Sequence, residues 1–572
     1  MTKRPRHSSE YPKGHKGGNP GLFLYFHTLR HLKPIQIWGR LLFRLRRPTP
    51  DLSAAPQRRS GGGVWRLPAA RRQSLVSAMR FRFLNEEHEV VSGGDWNSPG
   101  IPKLWLYNLH YFDDLNAQDA ASRAAWHALL LARWIAENPP GVGNGWEPYP
   151  LSLRLVNWLK WVLAGNELSG AAVHSLAVQA RFLTRRLEVH LLGNHLFANA
   201  KALVFAGAFF EGAEADAWFR LGMEILRREI AEQILADGGH FERSTMYQAL
   251  ALEDMLDLSN LARAFPAAFA GWQTELDRWP TLIDGMARWL EAMSHPDGEI
   301  SFFNDAAMGV APSPSALMGY AQRLDIPVVA EMSDGVIQLE QSGYIRMQMN
   351  RAVLLFDGAP VGPDYLPGHA HADTLSFELS WGLQRVICNS GTSRYGRDAI
   401  RLWERSTAAH NTVAIDGADS SEVWDGFRVA RRAYPVGFGC AESAEALGAW
   451  CAHDGYMRLP GRPVHRRTVE VSGDEVRWTD EVTGAGEHRA VGRIPLHPEV
   501  KARRLNEAQW LLVLPSGAQL VLALETAGVK LDEETGRYSP EFGLTLERTV
   551  LTWAVSGVPP FLVVLSLRPM EA

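Results

Sequence analysis

His369 and His371 stand two residues apart in the stretch GHAHADTLSFELSW, and imidazole is the side chain best suited to moving protons near neutrality or to holding a metal. Leu375, Phe377 and Leu379 alternate with Ser376, Glu378 and Ser380, the period of a half-buried strand. Residues two apart on a strand share a face. The pattern predicts two imidazoles aimed one way at the mouth of a strand, placed for chemistry rather than packing. Such a pair needs partners from elsewhere in the chain.

Four other segments offer them. In GNHLFANAKALVFAG, Asn194 and His195 open a predicted helix and Asn199 follows a turn later. A helix cap would account for Asn194 alone, less easily for all three. DGGHFERSTMYQALALEDML sets Glu242, Arg243, Ser244 and Tyr247 at a loop-to-helix junction, with Ser244 as the N-cap. VICNSGTSRYG places Asn389 and Tyr395 just after a strand, and RLWERSTAAHNTVAIDG carries His410 into another. Arg154, Arg243 and Arg405 are the local cations for pairing with a carboxylate. Most of the 20 tryptophans belong to packing, which leaves Trp146 and Trp403, with Tyr149 behind them, as candidates for stacking on a sugar.

The bulk composition bounds what these residues can serve. At 572 residues, 46% of them hydrophobic, the chain has core enough for two or three domains. Lys+Arg 59 against Asp+Glu 63 argues against a nucleic-acid partner, so recognition of an acidic substrate must be local. Cys388, Cys440 and Cys451 have no CxxC spacing, which argues against a disulfide framework and a thiolate zinc site. The basic start (Lys3, Arg4, Arg6, Lys13, Lys16) lacks the apolar run of a secretory signal, and no apolar stretch would span a bilayer. The compartment expected by default is the cytoplasm, with periplasm or cell surface as alternatives. The basic stretch IQIWGRLLFRLRRP, 35–48, reads as an amphipathic helix packed on the body with its arginines solvated. Its alternative is a weak contact with an anionic membrane surface, for which Trp38 is the one indole.

Helical periodicity runs through 121–136, 151–164, 171–186, 196–210, 215–235, 246–265 and 276–293. Beyond Glu331 the texture becomes that of strands: YIRMQMN from Tyr344, the turns Gly473-Asp474 and Ser516-Gly517, and the closing FLVVLSL. Helices followed by strands imply segregated α and β domains, an α+β multidomain chain. The divisions expected are a basic lead-in over 1–100, a helical domain over 101–330 and an antiparallel β-sheet domain over 331–572, with the change near 325–335. Because the histidine pair lies in the β part, a site across the domain interface is expected.

GNHLFANAKAL, DGGHFERSTMY, GHAHADTLSFEL, NSGTSRYG and AAHNTVAIDG, in this order, resemble the heparinase II/III family of polysaccharide lyases, a heparinase- and alginate-lyase-like group. LWLYNLHYFDDL and WEPYPLSLRLVNW resemble its N-terminal helical domain. The resemblance implies an N-terminal incomplete (α/α) toroid followed by a sandwich-like antiparallel β-sheet domain, and β-elimination on a uronic-acid polysaccharide. Ionising C5 places a second negative charge beside the uronate carboxylate, so a donor there stabilises the transition state. Asn194, with His195, suits that role. By resemblance Tyr247 delivers a proton to the leaving oxygen; the base is Tyr247 or His369, depending on whether C5–H and O4 share a ring face. His371, Asn389 and His410 match positions that bind a structural zinc. Asn389 stands where the family has an aspartate, and a neutral amide is a weak zinc ligand, so a hydrogen-bond cluster is the alternative. No organic cofactor is implied.

Two other functions fit the same residue types. A glycoside hydrolase would need a carboxylic acid opposite a carboxylate, for which Glu242 and Asp305 are available. A non-catalytic carbohydrate-binding or polysaccharide-assembly protein would have no use for Asn194, Tyr247 and His369 together.

Overall fold

The computed structural model describes residues 21–328 and 332–570. Lys3, Arg4, Arg6, Lys13 and Lys16, and residues 329–331 within the expected change near 325–335, lie outside the described residues. Helices α1 (Leu22–Leu29) and α2 (Pro34–Leu45) come first. After a small three-stranded sheet come α3 (Lys103–Tyr111), α4 (Ala124–Glu137), α5 (Pro148–Leu163), α6 (Gly170–Thr184), α7 (Gly193–Phe209), α8 (Ala213–Gln233), α9 (Thr245–Ala264), α10 (Gln273–Leu276), α11 (Trp279–Ala292) and α12 (Pro314–Arg323). These form the incomplete (α/α) toroid.

The residues of α7 from Leu196 to Phe209 are buried on every side, as expected of a helix apolar all round. It lies close against α8. A Cβ at Gly207 would fall 2.5 Å from the Phe219 nitrogen, and one at Gly222 2.7 Å from the Ala200 carbonyl oxygen. The start of α7 has no side-chain cap; the chain enters it through left-handed Leu192 and Gly193, at φ 61° and 54°. Asn194 is therefore not a cap and its amide is available. By contrast, the Ser244 hydroxyl accepts from the Tyr247 amide at 3.3 Å and starts α9, as the sequence suggests.

The strand half consists of antiparallel sheets. Gly335–Leu339, Tyr344–Met349, Ala352–Asp357, Phe377–Trp381 and Gln384–Ile387 form five strands in sequential order. Eight strands follow in the spatial order Pro435–Glu442, Ala446–His453, Val464–Ser472, Glu475–Thr483, Phe561–Pro569, Gln519–Leu524, Gln509–Val513 and Lys501–Arg504. Asp532–Glu541, Leu544–Gly557, His488–Pro495 and Val413–Ile415 make a four-stranded sheet. Ile345, Met347, Leu379, Trp478, Trp553 and Leu565, from all three sheets, share one core, which makes the arrangement sandwich-like. The three cysteines are free.

Two expectations change. The helix over 35–48 does not bury its apolar face: Gln36 and Gly39 pack inward while Trp38, Leu41, Leu42 and Leu45 are exposed. The histidine pair is not on a strand, which begins only at Phe377. The carbonyls of Pro367, Ala370 and Ala372 accept instead from the side chains of Arg405 and Thr407, so no β-ladder forms there. No described helix is long and apolar enough to cross a membrane.

Candidate functional site

A cavity of about 1120 Å³ opens between the two halves. From the helical side it is lined by Tyr149 on α5, Asn194 and His195 on α7, Glu242, and Tyr247 on α9. From the strand side come His369, Tyr395 and Phe427. Seven residues singled out by sequence, scattered from 149 to 395, thus meet in one place. The Tyr247 and His369 rings lie with centroids 4.2 Å apart, and the Tyr247 and Tyr395 hydroxyls are 2.9 Å apart. Tyr149 covers His195 at a ring separation of 4.4 Å.

The fully buried carboxylate of Asp305 organises the strand side. One oxygen lies 2.9 Å from His369 Nδ1 and the other 2.8 Å from His371 Nε2, so the two imidazoles straddle it rather than aiming one way. Arg401, also fully buried, pairs with both oxygens, Nη2 at 2.7 Å. Burial alone would raise the Asp305 pKa, but Arg401 and the hydrogen bonds from His369 and His371 hold it well below the usual carboxylate range. An ionised carboxylate can only accept. His369 therefore donates through Nδ1, which leaves Nε2 on the side of Glu242.

The groups around that nitrogen have distinct electrostatics. Burial raises Glu242, partly offset by His369 and His195; the residue is 2% exposed and neither carboxyl oxygen has a hydrogen-bond partner among the described residues. One Glu242 oxygen is 3.7 Å from His369 Nε2. Burial alone would lower His195, but Glu188, 3.2 Å from Nδ1, raises it above its ordinary value. Burial and the nearby Tyr395 push Tyr247 well above 10, keeping it a neutral phenol.

Behind Asp305 lies a group able to hold a metal: His371, His410 and Asp373, all buried, with one ligand atom from each within 4.8 Å of the others. Here Asp373 takes the place expected of Asn389. The Asn389 amide is spent elsewhere, its oxygen accepting from the Asn411 nitrogen at 3.2 Å and its nitrogen donating to Ser376 Oγ at 3.4 Å. The donor set fits a cation on its own geometry. His371 donates through Nε2 to Asp305, and His410 Nδ1 donates to the Ser406 carbonyl at 2.8 Å. In neutral imidazoles the remaining nitrogens, facing each other at 3.1 Å, both carry lone pairs. A hydrogen-bond cluster leaves that contact repulsive, whereas a metal ion between them satisfies both, with the outer partners that metal-binding histidines use.

Five other candidates stay away from the cavity lining. Arg154 is buried over Trp134 at 3.8 Å, and Trp146 packs between Trp134 and Phe182. Arg243 hydrogen-bonds to the carbonyls of Phe241 and Ser342. Arg405, fully buried, clamps the Pro367 and Ala370 carbonyls that shape the histidine loop. Trp403 is half-buried on the short helix α13 (Ala399–Glu404). Other cations line the cavity instead. Lys160 and Lys201 share Asp257 at 2.9 and 2.7 Å and pair further with Glu253 and Asp254, while Arg40 has no ion-pair partner among the described residues.

Comparison with known proteins bears on this geometry. Residues 119–321 match the model described as Heparinase II/III N-terminus, and residues 331–568 the one described as Heparinase II/III-like, C-terminal. A heparin-sulfate lyase of Bacteroides stercoris is 26% identical over 255 residues, 40% of this chain. The aligned part spans only 37% of that lyase's length. FtsZ-localized protein C of Caulobacter vibrioides is 24% identical over 467 residues, 74% of each chain. The crystal structure of a heparinase III superposes with a TM-score of 0.65 at 17% identity, covering 97% of this chain and 87% of that one, a likeness of fold.

Proposed function

Because the chain belongs to the heparinase II/III family, we propose that it is a polysaccharide lyase that cleaves a uronic-acid-containing glycan by β-elimination and leaves a 4,5-unsaturated uronate. One observation carries the reading: a neutral Tyr247 phenol and an Asp305-oriented His369 lie side by side in the cavity that also receives the start of α7. The uronate carboxylate is placed against that helix start, where the Asn194 amide, the raised His195 and the partial positive charge of the helix offset its charge, and where burial disfavours the charged form of Glu242. His369 Nε2 takes the C5 proton. The C5 electron pair forms the C4–C5 double bond, the C4–O4 bond breaks, and Tyr247 gives its proton to the departing oxygen. Proton return from His369 to Tyr247 through solvent resets the pair. Tyr395, hydrogen-bonded to Tyr247, orients the phenol.

The test is a panel of uronic-acid polysaccharides followed by the ultraviolet absorbance of the new unsaturated end. Absorbance rising on one polymer supports the reading and identifies the sugar class; new reducing ends without absorbance sink it in favour of hydrolysis. A second reading rests on the relative matched over the larger share, which is named as an FtsZ-localized protein rather than as a lyase. A binding or assembly role on this fold predicts silence on every polymer.

The cluster of His371, Asp373 and His410 is assigned here to one structural zinc. Zinc would anchor the loop of His371 to that of His410 and so fix Asp305 behind His369. Purified protein is expected to hold about one zinc per chain, and loss of metal to a chelator should lower the unfolding temperature by several degrees. Metal-free protein whose unfolding is indifferent to chelator would overturn the assignment.

A further inference from the structure

Helix α2 sits inside out for a soluble protein. The residues it turns to the body are Gln36, Gly39 and the half-buried Phe43, while Trp38, Leu41 and Leu45 lie at i, i+3 and i+7 on the opposite side, 63, 47 and 71% exposed. Helix α1 repeats the arrangement with Leu22 and Phe26, 91 and 62% exposed. Two adjacent helices therefore present apolar stripes to solvent, where a monomeric domain keeps such patches small.

The charges around the stripes narrow the occupant. Residues 21–50 contain Arg30, Lys33, Arg40, Arg44, Arg46 and Arg47 and no Asp or Glu. Arg44, Arg46 and Arg47 are exposed and have no ion-pair partner among the described residues. A second copy of this chain docked face to face would bring like charges together, because a twofold interface uses the same patch on both sides. An apolar stripe edged by unpaired arginines and carrying one tryptophan instead matches the boundary layer of an anionic bilayer, where apolar side chains sink below the headgroups and arginines meet phosphate.

We propose that α1 and α2 form a docking face for an anionic membrane surface. Tyr25, Thr28, Gln36 and Arg40 of the same two helices line the cavity, so docking brings the cavity to the bilayer surface. A glycan held at that surface is then within its reach.

The experiment is flotation of the full chain with vesicles of phosphatidylcholine and phosphatidylglycerol, roughly 7:3, and with phosphatidylcholine alone, at about 0.1 M salt. The expected result is binding to the anionic vesicles and little to the neutral ones. Trp38→Glu/Leu41→Glu/Leu45→Glu and, separately, Arg44→Glu/Arg46→Glu/Arg47→Glu should each cut the bound fraction about tenfold or more, with the unfolding temperature unchanged because these side chains are exposed. Failure of the unmodified protein to float with anionic vesicles would overturn the proposal, as would binding that survives both triple substitutions. A dimer in solution that the apolar substitutions convert to monomer would assign the face to a second copy instead. None of these readouts depends on turnover, so the proposal and the lyase reading fail separately.

Discussion

Tyr247→Phe is expected to lower turnover on the responsive polymer by a factor of about 10²–10⁴, the usual worth of a positioned proton donor. The substitution removes only the hydroxyl. The ring keeps its place 4.2 Å from His369 and stays in the buried wall of α9, so folding should survive at a cost of about 1 kcal/mol for the lost hydrogen bond to Tyr395. Substrate affinity should change little, because proton transfer to the leaving oxygen occurs in the transition state rather than on binding. Initial rates by ultraviolet absorbance, set beside thermal unfolding, separate these effects. Loss of less than about tenfold would remove Tyr247 as the acid. Tyr395, whose hydroxyl is 2.9 Å away, would then be the donor, and Tyr395→Phe should show the loss instead.

What the sequence could and could not disclose about this site follows from how each residue is held. Tyr247 was legible because Ser244 caps α9 locally, so a four-residue pattern fixes both the helix start and the tyrosine. The seven helical segments were legible to within a few residues at most ends, since helix periodicity is a short-range signal. Asp305 was visible only as a generic carboxylate. Its partners His369, His371 and Arg401 lie 64 to 96 residues away, and only the folded chain brings them together. Asp373 stood within the quoted motif, yet strand periodicity directed attention to the two histidines and hid the turn that swings it toward His410. The candidate arginines lie outside the cavity lining, and sequence could not show this for another reason. Arg154 and Arg405 sit in segments that flank the site, but proximity in sequence does not distinguish a guanidinium that meets substrate from one that ties backbone carbonyls. Arg40, in a segment read as a packing helix, reaches the cavity from the other end of the chain.

His369→Ala should match the loss in Tyr247→Phe, about 10²–10⁴-fold, for the opposite half of the same transfer. The prediction is sharper than for an ordinary base because His369 and His371 share Asp305 through different oxygens. Removing the His369 ring leaves Asp305 bound by Arg401 and His371, so zinc content and unfolding temperature should stay close to those of the unmodified protein. The vacated space opens onto the cavity, and added imidazole should recover part of the rate, which a merely structural histidine would not allow. Turnover close to normal would make Tyr247 both base and acid, the alternative open to a substrate whose C5–H and O4 share a ring face. The double variant decides whether the two groups act in one step: with Tyr247→Phe already in place, His369→Ala should cost far less than it does alone, because a concerted transfer lost at one end has little left to lose at the other. Full additivity would mean two separate steps and would require a carbanion that outlives the loss of its proton, stabilised by Asn194 and His195 without help from the phenol.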